Sequence, residues 1–196
     1  MAQRLPVYLL LDVSASMAGE PIEALRQGVR ALQLELSEDP QAARTAWVSV
    51  IAFGSGARQL TPLTALSRFR APSLEVEGTS ALGAALRLLD RCIEREVVPP
   101  REGEAGDFLP MAFLLTDGAP TDEWQVAAGA LVGRVRLVAC GAGARADMKT
   151  LRELAPDALA LNSLSAGALA EYFSFVSARV RETAGREGGG EIGWRN

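Results

Sequence analysis

A doubly wound α/β fold, with a mostly parallel sheet and helices on both faces, is predicted by three observations on this 196-residue sequence. Short continuous apolar runs alternate along the chain with longer stretches whose apolar residues recur at spacings of three and four. The first apolar run is unbroken and ends at an acid, the pattern of a strand covered on both faces. The helical stretches between the runs are long enough to serve as right-handed crossovers between parallel strands. A chain of this size fits one domain that buries about 70% of the surface its unfolded form exposes.

The elements follow in order. Leu5 to Leu11 is the first buried strand, and Ile22, Leu25, Val29, Leu32 and Leu36 mark the apolar face of the helix after it. Ala46 to Phe53 forms a second strand. Gly54-Ser55-Gly56 then turns the chain into a short third strand around Arg58 to Leu63, expected as a hairpin and hence an antiparallel edge. Gly78-Thr79-Ser80 opens a helix with Leu82, Leu86, Leu89 and Ile93 on its apolar face, and Pro99-Pro100 ends it. Arg101 to Asp107 reads as an exposed loop, Pro110 to Leu115 as a buried strand, Asp122 to Val132 as a helix and Val135 to Cys140 as a strand. A helix, a strand and a last helix with Leu169, Phe173, Val176 and Val180 on its apolar face complete the domain, set at residues 1–184. Residues 185–196 are Gly-rich and polar and read as a flexible tail carrying Trp194.

Composition narrows the function. Hydrophobic residues make up 48% and charged residues 22%, and the net charge is −4, ordinary values for a globular domain. The basic residues are 19 Arg and the single Lys149, scattered rather than gathered into a stripe, which argues against a nucleic-acid partner. Histidine is absent, which removes the commonest general base, the usual zinc nitrogen ligand and any Ser-His or Cys-His nucleophile. Cys92 and Cys140 lie far apart inside apolar segments and read as core thiols. No apolar run approaches the roughly 20 residues needed to span a bilayer, so no membrane role is expected. Asp12 interrupts the opening run too early for an export signal, and cleavage there would delete the first strand, so a cytoplasmic setting is expected.

In an open α/β sheet, ligands bind at the carboxyl ends of the strands where strand order reverses. Three loops of this chain bring oxygen atoms there: Asp12, Ser14 and Ser16 after the first strand, Thr79 at the start of the second long helix, and Thr116-Asp117-Gly118 after the fourth strand. Residues two apart share a side while the backbone is extended, so Asp12, Ser14 and Ser16 can converge on one point. Two carboxylates and three hydroxyls, without sulfur or nitrogen, suit a hard cation with oxygen ligands, Mg2+ first and Mn2+ or Ca2+ as alternatives. Two negative charges balance a dication while leaving its coordination open to an acidic group from outside.

Asp12-x-Ser14-x-Ser16, Thr79 and Thr116-Asp117-Gly118 resemble the metal-ion-dependent adhesion site of von Willebrand factor A (VWA) domains, in order and after the expected elements, and the resemblance runs from about Leu5 to Val180. It implies a Rossmann-like fold, metal contacts from Ser14, Ser16 and Thr79, and Asp12 and Asp117 binding directly or through water. It implies a non-enzymatic module that binds a protein partner through the partner's Asp or Glu. The segments Leu11 to Met17, Glu77 to Ser80 and Leu114 to Asp122 are most similar to the bacterial TerY-type proteins of the tellurium-resistance and chemical-stress group, which implies a phosphatase or kinase of the same system as partner.

Each site residue also has a plainer reading. Ser14 and Ser16 have the chemistry of helix caps, Asp117-Gly118 that of a turn, and Asp122 that of a cap on the helix it precedes. Trp47 and Phe53 read as core aromatics. Trp124 reads either as an interface anchor or as packing under its helix. A second functional reading takes Asp12 as the nucleophile of a haloacid-dehalogenase-like phosphatase. That chemistry wants a second acid two residues on, where Ser14 stands, and a lysine before the later acids, whereas Lys149 follows them.

Overall fold

The structure, a computed structural model, describes residues 3–185. The eight residues of β1, Leu5–Asp12, are all buried, because each face of the strand is covered by helices. Leu5, Val7, Leu9 and Leu11 point into one apolar layer, and Tyr8 and Leu10 into the other. The first layer is completed by α1 (Glu20–Glu38) and α6 (Ala166–Ala184). The second is completed by α3 (Leu82–Glu96), α4 (Gln125–Leu131) and α5 (Met148–Leu154).

The remaining strands are β2 (Ala46–Phe53), β3 (Ala57–Ala65), β4 (Met111–Thr116), β5 (Arg136–Ala142) and β6 (Leu159–Leu161), in the order β3-β2-β1-β4-β5-β6. All neighbours are parallel except β2 and β3, so the sheet is mixed with one antiparallel edge, as expected. Chain order grows outward from β1 on one side and from β4 on the other. The reversal therefore lies between β1 and β4, whose carboxyl ends carry Asp12 and Asp117.

Several boundaries differ from those read in the sequence, each for a physical reason. α3 starts at Leu82, because residues 78–81 turn to bond neighbouring loops: Ala81 N–H donates to Gly54 O at 2.8 Å and Ser80 O accepts from Thr121 N–H at 2.9 Å. α4 starts at Gln125, because Asp122 turns back to α3. β3 is longer than expected. It tolerates Pro62 because its register against β2 slips twice, leaving β3 with extra unpaired residues. A short helix not anticipated, α2 (Pro40–Thr45), is capped by Asp39, whose Oδ1 accepts from Gln41 N–H at 3.0 Å and Ala42 N–H at 2.8 Å, with Pro40 suited to the first turn.

Of the aromatics, Phe53 is buried, whereas Trp47 is only half-buried and carries the Arg4 guanidinium 4.7 Å from its ring centroid. Arg4 also donates to both oxygens of Asp107 and to Glu96 O. Trp124 is 8% exposed and packs in the second apolar layer, so the packing reading replaces the anchor reading. Cys92 and Cys140 are free, buried, and on opposite faces of the sheet. No helix among the described residues is long and apolar enough to cross a membrane. Residues 186–196, which hold most of the expected tail and Trp194, lie outside the described residues.

Two expected outcomes follow from this packing. A Cβ at Gly28 on α1 would lie 2.0 Å from the Phe173 ring, whereas one at Gly129 on α4 would meet nothing within 4 Å. Ala normally favours a helix interior over Gly by about 1 kcal/mol. Gly129→Ala should keep that gain, while Gly28→Ala should lose about 1–3 kcal/mol to overpacking in urea denaturation.

Burial pushes the Cys140 thiol up to about 12 and raises those of Cys92 and the Tyr172 phenol in the same direction. The folded state thus holds the Cys140 proton more tightly than the unfolded chain does. That contribution to stability is complete below the ordinary thiol value of about 8.5 and is lost as pH rises from there toward the folded value. The urea midpoint should fall from about pH 7.5 to about pH 10.5, on either side of the free thiol value, by an amount that Cys140→Ala reduces. An unchanged midpoint in the wild type would contradict this.

Candidate metal centre

The site is built on the carboxyl ends of β1 and β4, the two central strands. Asp12 is 0% exposed, and a carboxylate without water needs other donors. Its Oδ1 accepts from Ser14 N–H at 2.8 Å. Its Oδ2 accepts from Ser80 Oγ at 2.7 Å and Thr116 Oγ1 at 2.5 Å. Three segments distant in sequence thus meet on one charge.

A second chain of contacts runs outward. Ser14 Oγ and Ser16 Oγ share a hydrogen bond of 2.9 Å, Ser16 Oγ donates to Asp117 Oδ1 at 2.7 Å, and Asp117 Oδ2 accepts from Arg145 Nη2 at 3.0 Å. Neither serine caps α1. Ser14 stands before a single 3-10 turn at Ala15–Met17 without bonding it through its side chain, and the residue before α1 is Gly19. The Ser14 hydroxyl instead pairs with that of Ser16, which turns to Asp117.

Thr79 reaches the same end of the sheet by its backbone. Glu77 N–H donates to Val13 O at 2.7 Å and Ala15 N–H to Gly78 O at 2.9 Å, which clamps the loop before α3 onto the loop after β1. Gly78 makes this close approach possible: it has φ +60, and a Cβ there would sit 1.8 Å from Ser55 Oγ. The Thr79 side chain stays outside the hydrogen-bonded chain of Ser14, Ser16 and Asp117, and its Oγ1 accepts from Thr121 Oγ1 at 3.3 Å. The structure thus joins Asp12, Ser14, Ser16 and Asp117 through hydrogen bonds and brings Thr79 beside them.

Asp122 is a cap, though of a different helix from the one expected. Its carboxylate accepts from Gly83 N–H at 2.7 Å and Ala84 N–H at 2.8 Å in the first turn of α3. Ser80, Arg145 and the bond from Thr116 to Asp12 were not singled out in the sequence. The hydroxyls of Gly78-Thr79-Ser80 and Thr116-Asp117 are visible signals for two of them. Arg145, 28 positions from Asp117, has no local signal.

The donor set fits a hard cation. Among the described residues no group of three or more His, Cys, Asp or Glu side chains is placed to hold a metal, so a cation here depends on hydroxyls as well as on the two carboxylates. In an octahedral shell with metal–oxygen distances of about 2.1 Å, adjacent ligands are about 3 Å apart. The oxygen spacings of 2.9 Å from Ser14 to Ser16 and 2.7 Å from Ser16 to Asp117 are of that size.

The sequence profile of the von Willebrand factor type A domain matches residues 7–174. The chain belongs to that family. No curated protein sequence matches it. Among solved structures, this VWA domain is similar to a von Willebrand factor type A protein from Catenulispora acidiphila, at 21% identity and TM-score 0.70, over 92% of this chain and 43% of that one. It is also similar to proximal thread matrix protein 1 from the mussel byssus, in a form with a zinc-occupied MIDAS motif, at 17% identity and TM-score 0.66, over 89% of this chain and 47% of that one. BatB from Bacteroides thetaiotaomicron is of comparable length, with 19% identity and TM-score 0.61 over 91% of this chain and 99% of that one. The chain thus spans less than half of the first two relatives, and at these identities the likeness is one of fold.

The network around Asp12 makes a sharp stability test. Thr116→Val keeps the side-chain shape but removes one of three donors to a buried charge, so it should cost about 1.5–3 kcal/mol in chemical denaturation. Thr121→Val, which alters an exposed hydroxyl pair, should stay within about 0.5 kcal/mol of wild type.

Proposed function

We propose that this VWA domain is a metal-dependent protein-recognition module, with Asp12, Ser14, Ser16, Thr79 and Asp117 holding a divalent cation. The observation that supports this most directly is the run of oxygens from Ser14 through Ser16 to Asp117, spaced like neighbouring ligands at the sheet's reversal point. Mg2+ is the proposed ion, with Mn2+ or Ca2+ as alternatives. The zinc reported for the mussel protein supports a divalent ion at such a motif without choosing among them.

The residues divide the work. Asp12 is a fixed charge, locked by Ser14, Ser80 and Thr116, that draws a cation to this end of the sheet. Ser14 and Ser16 supply neutral oxygens, so the site carries little negative charge of its own, and Asp117 supplies the second carboxylate. When bound, the cation supplies an electrophilic position that an Asp or Glu of a protein partner can occupy. The segments 18–21, 54–58 and 119–124 would frame the contact and set which partner fits.

This reading extends, on the resemblance of the motif segments, to a role like that of the TerY-type group: cytoplasmic, within a tellurium-resistance or chemical-stress system, beside a phosphatase or kinase, with residues 1–184 as the domain. Nucleic acid and membrane are not proposed as partners. VWA domains generally bind rather than catalyse, and the geometry of Asp12 weighs against the phosphatase reading. Both oxygens of the carboxylate are engaged and none of it faces solvent, which leaves a nucleophile no approach to a phosphoester.

Calorimetry should find one Mg2+ or Mn2+ per chain, abolished by Asp12→Ala or Asp117→Ala and weakened less by Thr79→Ala, whose neutral oxygen water can replace. Partners captured from extract with Mg2+ should be lost with excess chelator and with the Ser14→Ala, Ser16→Ala double variant. The same partners in every lane would show that the cation is not the recognition element.

A further inference from the structure

Arg145 brings a positive charge against a carboxylate of the candidate cation site. Its guanidinium Nη2 donates to Asp117 Oδ2 at 3.0 Å, while Asp117 Oδ1 accepts from Ser16 Oγ at 2.7 Å. Asp117 is 1% exposed and the Arg145 side chain 70% exposed, so a buried carboxylate is shared between the oxygen cluster and a cation delivered from the solvent side.

The loop between β5 and α5 makes that delivery specific. Gly143 turns at φ +81 and donates its N–H to Leu161 O at 2.9 Å, and Ala146 N–H returns to Gly143 O at 3.3 Å. On the other side of Arg145, Asp147 N–H reaches Gly118 O at 3.5 Å, and the Asp147 carboxylate caps α5 through Thr150 N–H at 3.1 Å. Arg145 is thus held between anchored residues beside the turn that follows Asp117.

Charge arithmetic gives the consequence. Asp12 and Asp117 carry two negative charges and Arg145 one positive, so a bound dication leaves the group at one positive charge instead of neutral. That has two effects of opposite sign: repulsion between like charges weakens cation binding, and the surplus positive charge strengthens attraction for an anionic ligand. An ion pair between two exposed groups would be weak, but here the carboxylate is out of water.

We propose that Arg145 is a specificity-setting residue of the cation site, lowering its affinity for the metal and raising the affinity of the loaded site for a carboxylate. This rests on the metal-dependent reading above. As an exposed loop side chain, Arg145 can be exchanged without touching the core.

The test is calorimetric titration of Mn2+ into the full chain at low ionic strength for wild type, Arg145→Lys, Arg145→Gln and Arg145→Glu. Arg145→Gln should lower the Kd for Mn2+ about three- to tenfold, Arg145→Glu should lower it further, and Arg145→Lys should stay within about twofold of wild type. The gap should narrow as salt is raised, because screening reaches about 10 Å at 0.1 M. A residue that merely oriented Asp117 would give the reverse, a higher Kd in Arg145→Gln. An equal or higher Kd in that variant therefore overturns the proposal while leaving the metal reading intact. Absence of Mn2+ binding in wild type and variants alike overturns both. With protein saturated in Mn2+, acetate should half-saturate at a several-fold higher concentration in Arg145→Gln than in wild type. Equal values overturn the carboxylate half of the proposal.

Discussion

Asp12 lies at the carboxyl end of β1 with no water to solvate it, and much of the architecture at this end of the sheet answers its demand for donors. A buried carboxylate left unpaired is among the most costly features a fold can contain. The donors come from the loop after β1, the approach to α3 and the end of β4, so one charge fixes three segments relative to one another. Backbone bonds from Glu77 to Val13 and from Ala15 to Gly78 tighten the same junction.

All three donors to Asp12 are neutral, so its negative charge is solvated by the protein and not cancelled. Ser16, itself paired with Ser14, does for Asp117 on one side what Arg145 does on the other, but a hydroxyl leaves the charge in place and a guanidinium opposes it. The charge available to a cation is thus set by which donors satisfy each carboxylate as much as by the number of carboxylates. Central, fully buried strands carry both acids, which gives the arrangement a rigid base.

Much of the fold was legible in the sequence because burial on both faces writes itself as unbroken apolar runs, as in Leu5 to Leu11 and Met111 to Leu115, and helices with one buried face repeat every three to four residues. The loops of the candidate site were legible as oxygen-rich motifs just after buried strands, where several loops together point to one cluster although each alone also reads as a cap or a turn. What escaped was set by contacts between distant segments. Asp122 was recognised as a cap, but local sequence cannot tell that it caps α3 and not the helix it precedes. Trp124 is ambiguous in the sequence because its place within the second apolar layer depends on α3, far from it along the chain. Arg145 belongs to a loop whose sequence says nothing of Asp117, and the start of α3 was misplaced because backbone bonds to neighbouring loops pull residues 78–81 out of the helix. By contrast, Asp39-Pro40 carries a local helix-start signal, a capping acid followed by a first-turn proline.

The slipped register of β3 bears on how the domain behaves in a crowded solution. A regular edge strand offers a ladder of unpaired amides on which another chain can grow, and this is a common route to aggregation. On β3 the outer row is broken by Pro62, which has no N–H to donate, and by two displaced positions that bend the strand. The opposite edge, β6, is only three residues long. Both margins of the sheet are poor templates for strand addition, so the protein can keep an apolar sheet inside without inviting its neighbours to extend it.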